Sequence, residues 1–419
     1  MIMSNKFIRK DILCRVCGSD EIETILKLND TPLEDQFVDE LNKQREQKAL
    51  PLELAICKQC GYVHLPYIIN PEESYVDYLY KSGVTPGLRL HYDEYAKDIV
   101  ENYNIEKESL VVDLGSNDGS MLASFKRQGM NVVGVEPANL IADYANQSGI
   151  KTINDYFSNE VVSKIVSGYG KADVITANYM FANIDDIVNF TKSVETLLSE
   201  DGVFVVETGY HLEQFKIKMF DYIYHEHFSY FTVGTLSYLF DQCGLKIIDV
   251  QKTKPKGGSI RVVTQKQDGL RETLPSVGMI IDSEKESNIY GIEMYREFSN
   301  SLQELKADLI ELLKSIKDKG KSIVAFGASH STTTLIYHFE LSDYFDYIVD
   351  DNKAKHGLYS PGLHIPVFPT DRMYVDRPDY ILILAWQHKL SITKKHKLII
   401  EKGSTFIVPL PKIEIIDAL

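Results

Sequence analysis

The sequence predicts an α/β protein centred on a parallel, doubly wound sheet, with a small metal-binding unit before it and a second α/β unit after it. Three observations predict this. Short apolar runs at 110–114, 132–135, 172–177 and 203–207 alternate with stretches of helical spacing at 120–128 and 187–198. Strands joined in parallel need crossovers, usually helices, which cover both faces of the sheet and make its strands continuous apolar runs. Four of the five cysteines fall into two pairs near the N-terminus. The strand pattern resumes after a long charged segment, at 322–326, 344–349 and 380–385, with a helix expected to begin near Thr332.

The chain has 419 residues, more than one ordinary core fills, so several domains are expected. We place them at 1–75, 76–285 and 286–419, with a charged helix over about 288–319, ending at Gly320, as the start of the third. Lys and Arg number 45 against 60 Asp and Glu, a net charge of −15. No basic block stands out, so no nucleic-acid or membrane partner is expected. Residues 1–10 carry no apolar core of a secretion signal, and no apolar run approaches a membrane span. The expectation is a cytoplasmic enzyme acting as a monomer or weak oligomer.

Cys14-Arg15-Val16-Cys17 and Cys57-Lys58-Gln59-Cys60 are two C-x2-C knuckles, followed by Gly18 and Gly61. In a reducing compartment such pairs point to metal. Four thiolates complete a tetrahedral zinc shell with no open position, so the expected role is structural. Unbound thiols or a redox pair are the alternatives. Cys243 stands alone and reads as a core thiol.

The first apolar run leads into Asp113-Leu114-Gly115-Ser116-Asn117-Asp118-Gly119, and a helical stretch starts at Ser120. Glycines let backbone approach a ligand, and a helix start offers free N–H groups. The second run ends at Glu136, placed to accept from ribose hydroxyls at the sheet's switch point. A dinucleotide site would carry G-x-G-x-x-G over a pyrophosphate. Here the spacing is G-x-x-x-G with acids in and before the turn, which repel a pyrophosphate and suit a cofactor bearing an amine and a sulfonium. The reading is S-adenosylmethionine, with a dinucleotide site and a purely structural turn as rivals. Asp113, Gly115, Ser116, Asn117, Gly119, Glu136 and Pro137 form the candidate set. Asn178, at the end of the fourth-strand run, and Asp155, in the segment 154–157 that could hold adenine, complete it.

Tyr224-His225-Glu226-His227 is the densest titratable group and lies beyond the strand at 203–207, where an acceptor would sit. A histidine near neutral pKa suits a general base, and a neighbouring carboxylate can orient it or bind a hydroxyl. Consecutive H-E-H residues do not converge on one metal ion. A polar helix end with no catalytic role is the bland alternative.

With these motifs, the chain resembles the three-domain nucleotide-sugar C-methyltransferases, the family of the sugar 3-C-methyltransferases of antibiotic deoxysugar pathways. The likeness runs nearly the whole length and includes the four-cysteine module, 116–119, 224–227 and Gly257-Gly258-Ser259-Ile260-Arg261. It continues through Gly327-Ala328-Ser329, 361–366 and 382–386. The resemblance implies a class I S-adenosylmethionine methyltransferase core with a Rossmann-like sheet, an N-terminal zinc-binding domain and a Rossmann-like C-terminal domain that assists nucleotide-sugar binding. It implies a nucleotide-linked 4-keto sugar as acceptor, His227 as the base, and Glu226 and Tyr224 on the sugar, with His225 next in line as base. It also places Tyr78 and Tyr80 in the acceptor pocket, where simple packing is the alternative, with Ser259 and Arg261 beside it.

Three positions depart from the family pattern. Asn183 stands where the family has a histidine, with Tyr179 at its asparagine; Lys256 replaces the histidine before Gly-Gly-Ser; and Ser329-His330-Ser331-Thr332 lacks the usual lysine. Asn183 can hydrogen-bond a hydroxyl or carbonyl but cannot exchange a proton near pH 7, whereas Lys256 could bind a phosphate or carboxylate. O-methylation of a related nucleotide sugar or heptose, and an inactive cofactor- or sugar-binding protein, are the competing readings.

Overall fold

The computed structural model describes residues 8–70 and 88–418. Tyr78 and Tyr80 lie outside the described residues. The N-terminal unit holds β1 (Ile8–Lys10), β2 (Ile22–Lys27), β3 (Glu53–Cys57), β4 (Val63–His64) and β5 (Tyr67–Ile69). β2, β3 and β4 pair antiparallel in that order, and β1 pairs separately with β5.

The central unit contributes β6 (Leu110–Leu114), β7 (Asn131–Val135), β8 (Thr152–Ile153), β9 (Ala172–Asn178), β10 (Leu198–Gly209), β11 (Ser229–Tyr230), β12 (Leu245–Thr253) and β13 (Ser259–Lys266). Its seven-stranded sheet runs β12-β13-β10-β9-β6-β7-β8. All five β6 residues are buried, as a strand covered on both faces requires. The chain runs from β6 outward to β7 and β8, then returns to β9 on the other side. That reversal is the switch point where such sheets bind ligands at their strand ends.

The sheet is not wholly parallel, as the sequence had implied. β13 runs antiparallel between β10 and β12. The β12–β13 hairpin escaped the sequence reading because polar residues interleave its apolar ones and Gly257-Gly258 reads as a loop. β11 leaves this sheet altogether and pairs with β4, Ser229 opposite His64. The segment just after Tyr224–His227 is therefore an edge strand of the N-terminal sheet.

Helix Ile292–Asp318 buries Tyr295, Phe298, Leu302, Leu305, Leu309, Leu313 and Ile316, a single stripe at spacings of three and four. It packs against β2 and leads into β14 (Ile323–Phe326), β15 (Ile348–Asp350), β16 (Val367–Pro369), β17 (Tyr380–Ile383), β18 (Thr405–Val408) and β19 (Glu414–Ile416). Their order is β16-β15-β14-β17-β18-β19, parallel except for β19. The run expected as a strand over 344–349 is mostly not one. Phe345 and Tyr347 are buried in the approach to β15, which begins at Ile348; Tyr347 O accepts from Ala325 N at 3.0 Å, but Tyr344 to Phe345 stay outside the sheet, so burial mimicked a longer strand. The helix expected near Thr332 starts at His330, with Ser329 and Thr332 forming a capping box. One buried cluster extends from Cys14 to Leu410, so the three units share a core. No helix among the described residues is long and apolar enough to cross a membrane.

Candidate active site and metal centre

The four N-terminal cysteines converge. Cys14 Sγ lies 3.6 Å from Cys60 Sγ, Cys17 Sγ 3.5 Å from Cys57 Sγ, and all four sulfurs lie within 4.8 Å of one another. Bonds of about 2.3 Å to one zinc place tetrahedral sulfurs about 3.8 Å apart, so the spacing fits zinc and is far too long for disulfides. Each knuckle is closed by its glycine: Gly18 N donates to Cys14 O and Gly61 N to Cys57 O, both at 2.8 Å and both with φ near +74°. A side chain would strain that conformation.

At the switch point the turn after β6 is held from below. Asp113 is buried and accepts from Thr176 Oγ1 at 2.6 Å; burial, with a smaller push from Glu136, raises its carboxyl to about 7. Gly115, Asn117 and Gly119 all take left-handed φ, and a Cβ on Gly115 would strike Met180 at 2.8 Å. Glu136 Oε2 accepts from Asn117 N at 3.0 Å and Oε1 from Ala138 N at 2.9 Å. Each oxygen keeps an accepting lone pair, and Glu136 faces a cavity of about 490 Å³. A ribose diol fits those acceptors, and Ser116 Oγ, buried without a partner among the described residues, is a further polar atom in the turn. The donor set suits S-adenosylmethionine. When bound, that cofactor supplies an electrophilic methyl.

Gly115, Asn117, Glu136, Pro137, Asn178, Tyr179, Asn183 and Lys256 all line the cavity. Asp113 and Ser116 line a small cleft beside it, together with Asn117 and Asn178. Gly119 caps the start of helix Ser120–Arg127. Asp155 is not brought in. Its carboxylate turns outward to Lys164, 3.2 Å away, whereas Tyr156, Phe157 and Ser158 beside it line the cavity.

The far wall is organised around a buried acid that the motifs did not reveal. Glu207, at the end of β10, takes Arg261 Nε at 2.9 Å, Tyr179 Oη at 2.7 Å and His91 Nε2 at 2.5 Å. Burial pushes its pKa up, but His91 and Arg261 outweigh burial and hold it below the usual carboxylate value. Arg261 also pairs with Asp98 at 3.2 Å and lies over Tyr95, so it is an anchor of the wall and does not line the cavity. Ser259 is likewise buried, donating to Pro255 O at 2.9 Å. Tyr179 itself sits at φ +56°, a costly conformation for a tyrosine, with Lys256 Nζ 4.4 Å from its ring centre.

The segment Tyr224–His227 is gripped by both flanking units. His225 is fully buried, its Nδ1 2.7 Å from Glu34 Oε1 and its Nε2 3.2 Å from Pro51 O. Burial opposes its charge, but Glu34 raises its pKa. His225 thus ties the segment to the N-terminal unit and has no open nitrogen to offer an acceptor. On the other side, His330 Nε2 lies 3.6 Å from Glu226 and 3.7 Å from Asp35. Burial lowers its pKa, but Asp35 and then Glu226 prevail and raise it to about 9. The Tyr224 ring lies 5.5 Å from those of His227 and His330.

His227 lies outside the residues lining the cavity, yet within reach of the Lys256 charge. Burial first, and Lys256 second, push it down to about 3, so it is neutral at physiological pH. Its Nδ1 has no partner among the described residues. Lys256 keeps contact with solvent in the cavity, but protein surrounds it, and that desolvation lowers it to about 8.

Three family models match in order: a zinc binding domain over residues 14–75, a methyltransferase domain over 88–250 and a C-methyltransferase C-terminal domain over 254–411. The chain is 32% identical over 406 residues to C-methyltransferase NovU of Streptomyces niveus, covering 97% of each protein. Among solved structures, an S-adenosylmethionine-dependent methyltransferase from Clostridium acetobutylicum overlaps 42% of this chain and 92% of its own at 13% identity and a TM-score of 0.34. The Burkholderia thailandensis 1,6-didemethyltoxoflavin-N1-methyltransferase overlaps 42% and 79%, at 18% identity and a TM-score of 0.33.

Proposed function

The chain belongs to the C-methyltransferase family, and from that premise we propose that it methylates a nucleotide-linked ketosugar at the carbon beside the ketone, with His227 as the base. It is an S-adenosylmethionine-dependent C-methyltransferase with an N-terminal zinc-binding domain. The acceptor, the base and a cytoplasmic location are the proposed parts.

One observation carries the reading of the base: a neutral imidazole with an open Nδ1, in a segment clamped by Glu34 and His330 beside the cavity's Lys256 end. A carbon acid needs activation by a neighbouring ketone before any side chain can deprotonate it. His227 would take that proton, while Tyr224 and Glu226 orient the sugar. The nucleotide would extend toward the C-terminal unit, where Gly327 precedes helix His330–Phe339 and Asp350 accepts from Ala328 N at 2.6 Å. That acid at the end of the second strand repeats the geometry of Glu136 in the central unit.

The test uses solvent deuterium. With S-adenosylhomocysteine bound, wild type should exchange the proton beside the ketone of its acceptor. His227→Asn should slow exchange by about 100-fold or more with cofactor affinity kept. Exchange that persists in the variant would reassign the base.

A further inference from the structure

Lys256 has no role in that scheme, and its placement calls for one. Among the described residues that line the cavity it is the one cation, and it forms no ion pair with a described carboxylate; burial alone shifts it. It is also positioned at a cost. Lys256 takes φ +53°, Gly257 φ +79° and Gly258 φ +110°, three successive residues in the left-handed region. A Cβ on Gly257 would meet Met219 Sδ at 2.2 Å, so this tight passage needs glycine and leaves the loop little freedom. Its ammonium rests over the ring of Tyr179, which Glu207 fixes at 2.7 Å. A cation held there, with no carboxylate in ion-pair contact, disfavours a second positive charge beside it in the resting enzyme. It becomes favourable only when negative charge develops nearby.

We propose that Lys256 is a catalytic residue that hydrogen-bonds the acceptor's ketone oxygen and stabilises it as the enolate oxygen when the adjacent C–H bond is broken. This rests on the C-methylation reading. The C–H electron pair moves into the ring as the base gains the proton, and the oxygen takes up the charge. The carbon then forms its bond to the methyl group as the methyl–sulfur bond breaks, with that pair remaining on sulfur. Lys256 keeps its proton throughout. Such an interaction is stronger in the transition state than in the ground state, which is what raises a rate. It also explains how a base whose proton affinity Lys256 depresses can work. The enolate charge offsets that repulsion as the proton arrives.

Two measurements test it. In calorimetry without acceptor, Lys256→Met should raise the affinity ratio of S-adenosylmethionine to S-adenosylhomocysteine by roughly 3- to 10-fold, since only the former carries a charged sulfur. In deuterium oxide, with dTDP-, UDP-, CDP- and GDP-linked 4-ketohexoses as probes, wild type should exchange the proton beside the ketone of at least one. Lys256→Met and Lys256→Gln should lose about 100-fold of that rate, and Lys256→Arg should recover most of it. Thermal melts identify any variant that fails to fold, and the Gln and Arg pair covers that case. An unchanged affinity ratio, or an exchange rate that Met and Gln leave intact, overturns the role of Lys256. Wild type exchanging no probe overturns the C-methylation reading itself, a distinct result.

Discussion

The cysteine centre and the methyl-transfer cavity are built on opposite terms. At the first, four sulfurs face one another within 4.8 Å and both knuckle turns are closed by backbone hydrogen bonds. Nothing is left over to bind a substrate. At the second, Asn117, Tyr179 and Lys256 sit in left-handed conformations, Ser116 Oγ and His227 Nδ1 lack partners among the described residues, and a lysine stands with no described carboxylate in ion-pair contact. Saturated polar groups stabilise a fold, whereas strained and unsatisfied ones persist only where the surroundings enforce them. The contrast separates the part that folds from the part that reacts. β11 links the two, because the strand following His227 completes the cysteine unit's sheet.

The largest effect should come from breaking the saturated centre. Cys57→Ser should abolish zinc binding and unfold the N-terminal sheet, since structural zinc contributes on the order of 10 kcal/mol in small zinc peptides. Metal analysis and thermal melts would read it, and activity should fall with the fold through β11. His227→Asn should do the reverse, removing about 100- to 10,000-fold of kcat while the melting temperature and zinc content hold. A variant losing both would erase the distinction between the two regions.

Glu207→Gln tests what supports the unsatisfied wall. It leaves Arg261 with Asp98 alone and should cost about 3 kcal/mol in denaturant melts. The clamp on Tyr224–His227 should show in pH. His330 has a folded value of about 9 against an ordinary value of about 6.5, with about 30% of its side chain still exposed. A raised histidine contributes stability that is fully present below pH 6.5 and is lost as pH rises through 9. The melting-temperature gap between wild type and His330→Gln should be widest below pH 6.5 and close above 9. The smallest effect belongs to Asp155→Ala, an exposed ion pair outside the cavity. Stability should move by less than about 0.5 kcal/mol and cofactor affinity by less than about 2-fold.

What the sequence made legible follows from what is local. The knuckles, the 113–119 turn and the β6, β7 and β9 runs each carry their signal within a few residues, and the structure brings those pieces together. The supports of the site are not local. His91 meets Glu207 across 116 residues, and Glu34 meets His225 across 191. No periodicity or spacing encodes such pairs, because burial and crossover topology bring them together. The same limit explains Asp155, a residue in the right loop whose side chain turns toward Lys164. It also explains Arg261 and Ser259, which sit in a recognisable motif but serve the wall.

The direct test of the central claim is where the methyl group ends up. The enzyme, supplied with carbon-13-labelled S-adenosylmethionine and the same panel of nucleotide-linked 4-ketohexoses, should yield a product whose labelled methyl shows by NMR a bond to the ring carbon beside the ketone. A methyl on oxygen, or a folded, zinc-loaded enzyme that binds cofactor yet methylates no sugar nucleotide in the panel, would contradict it.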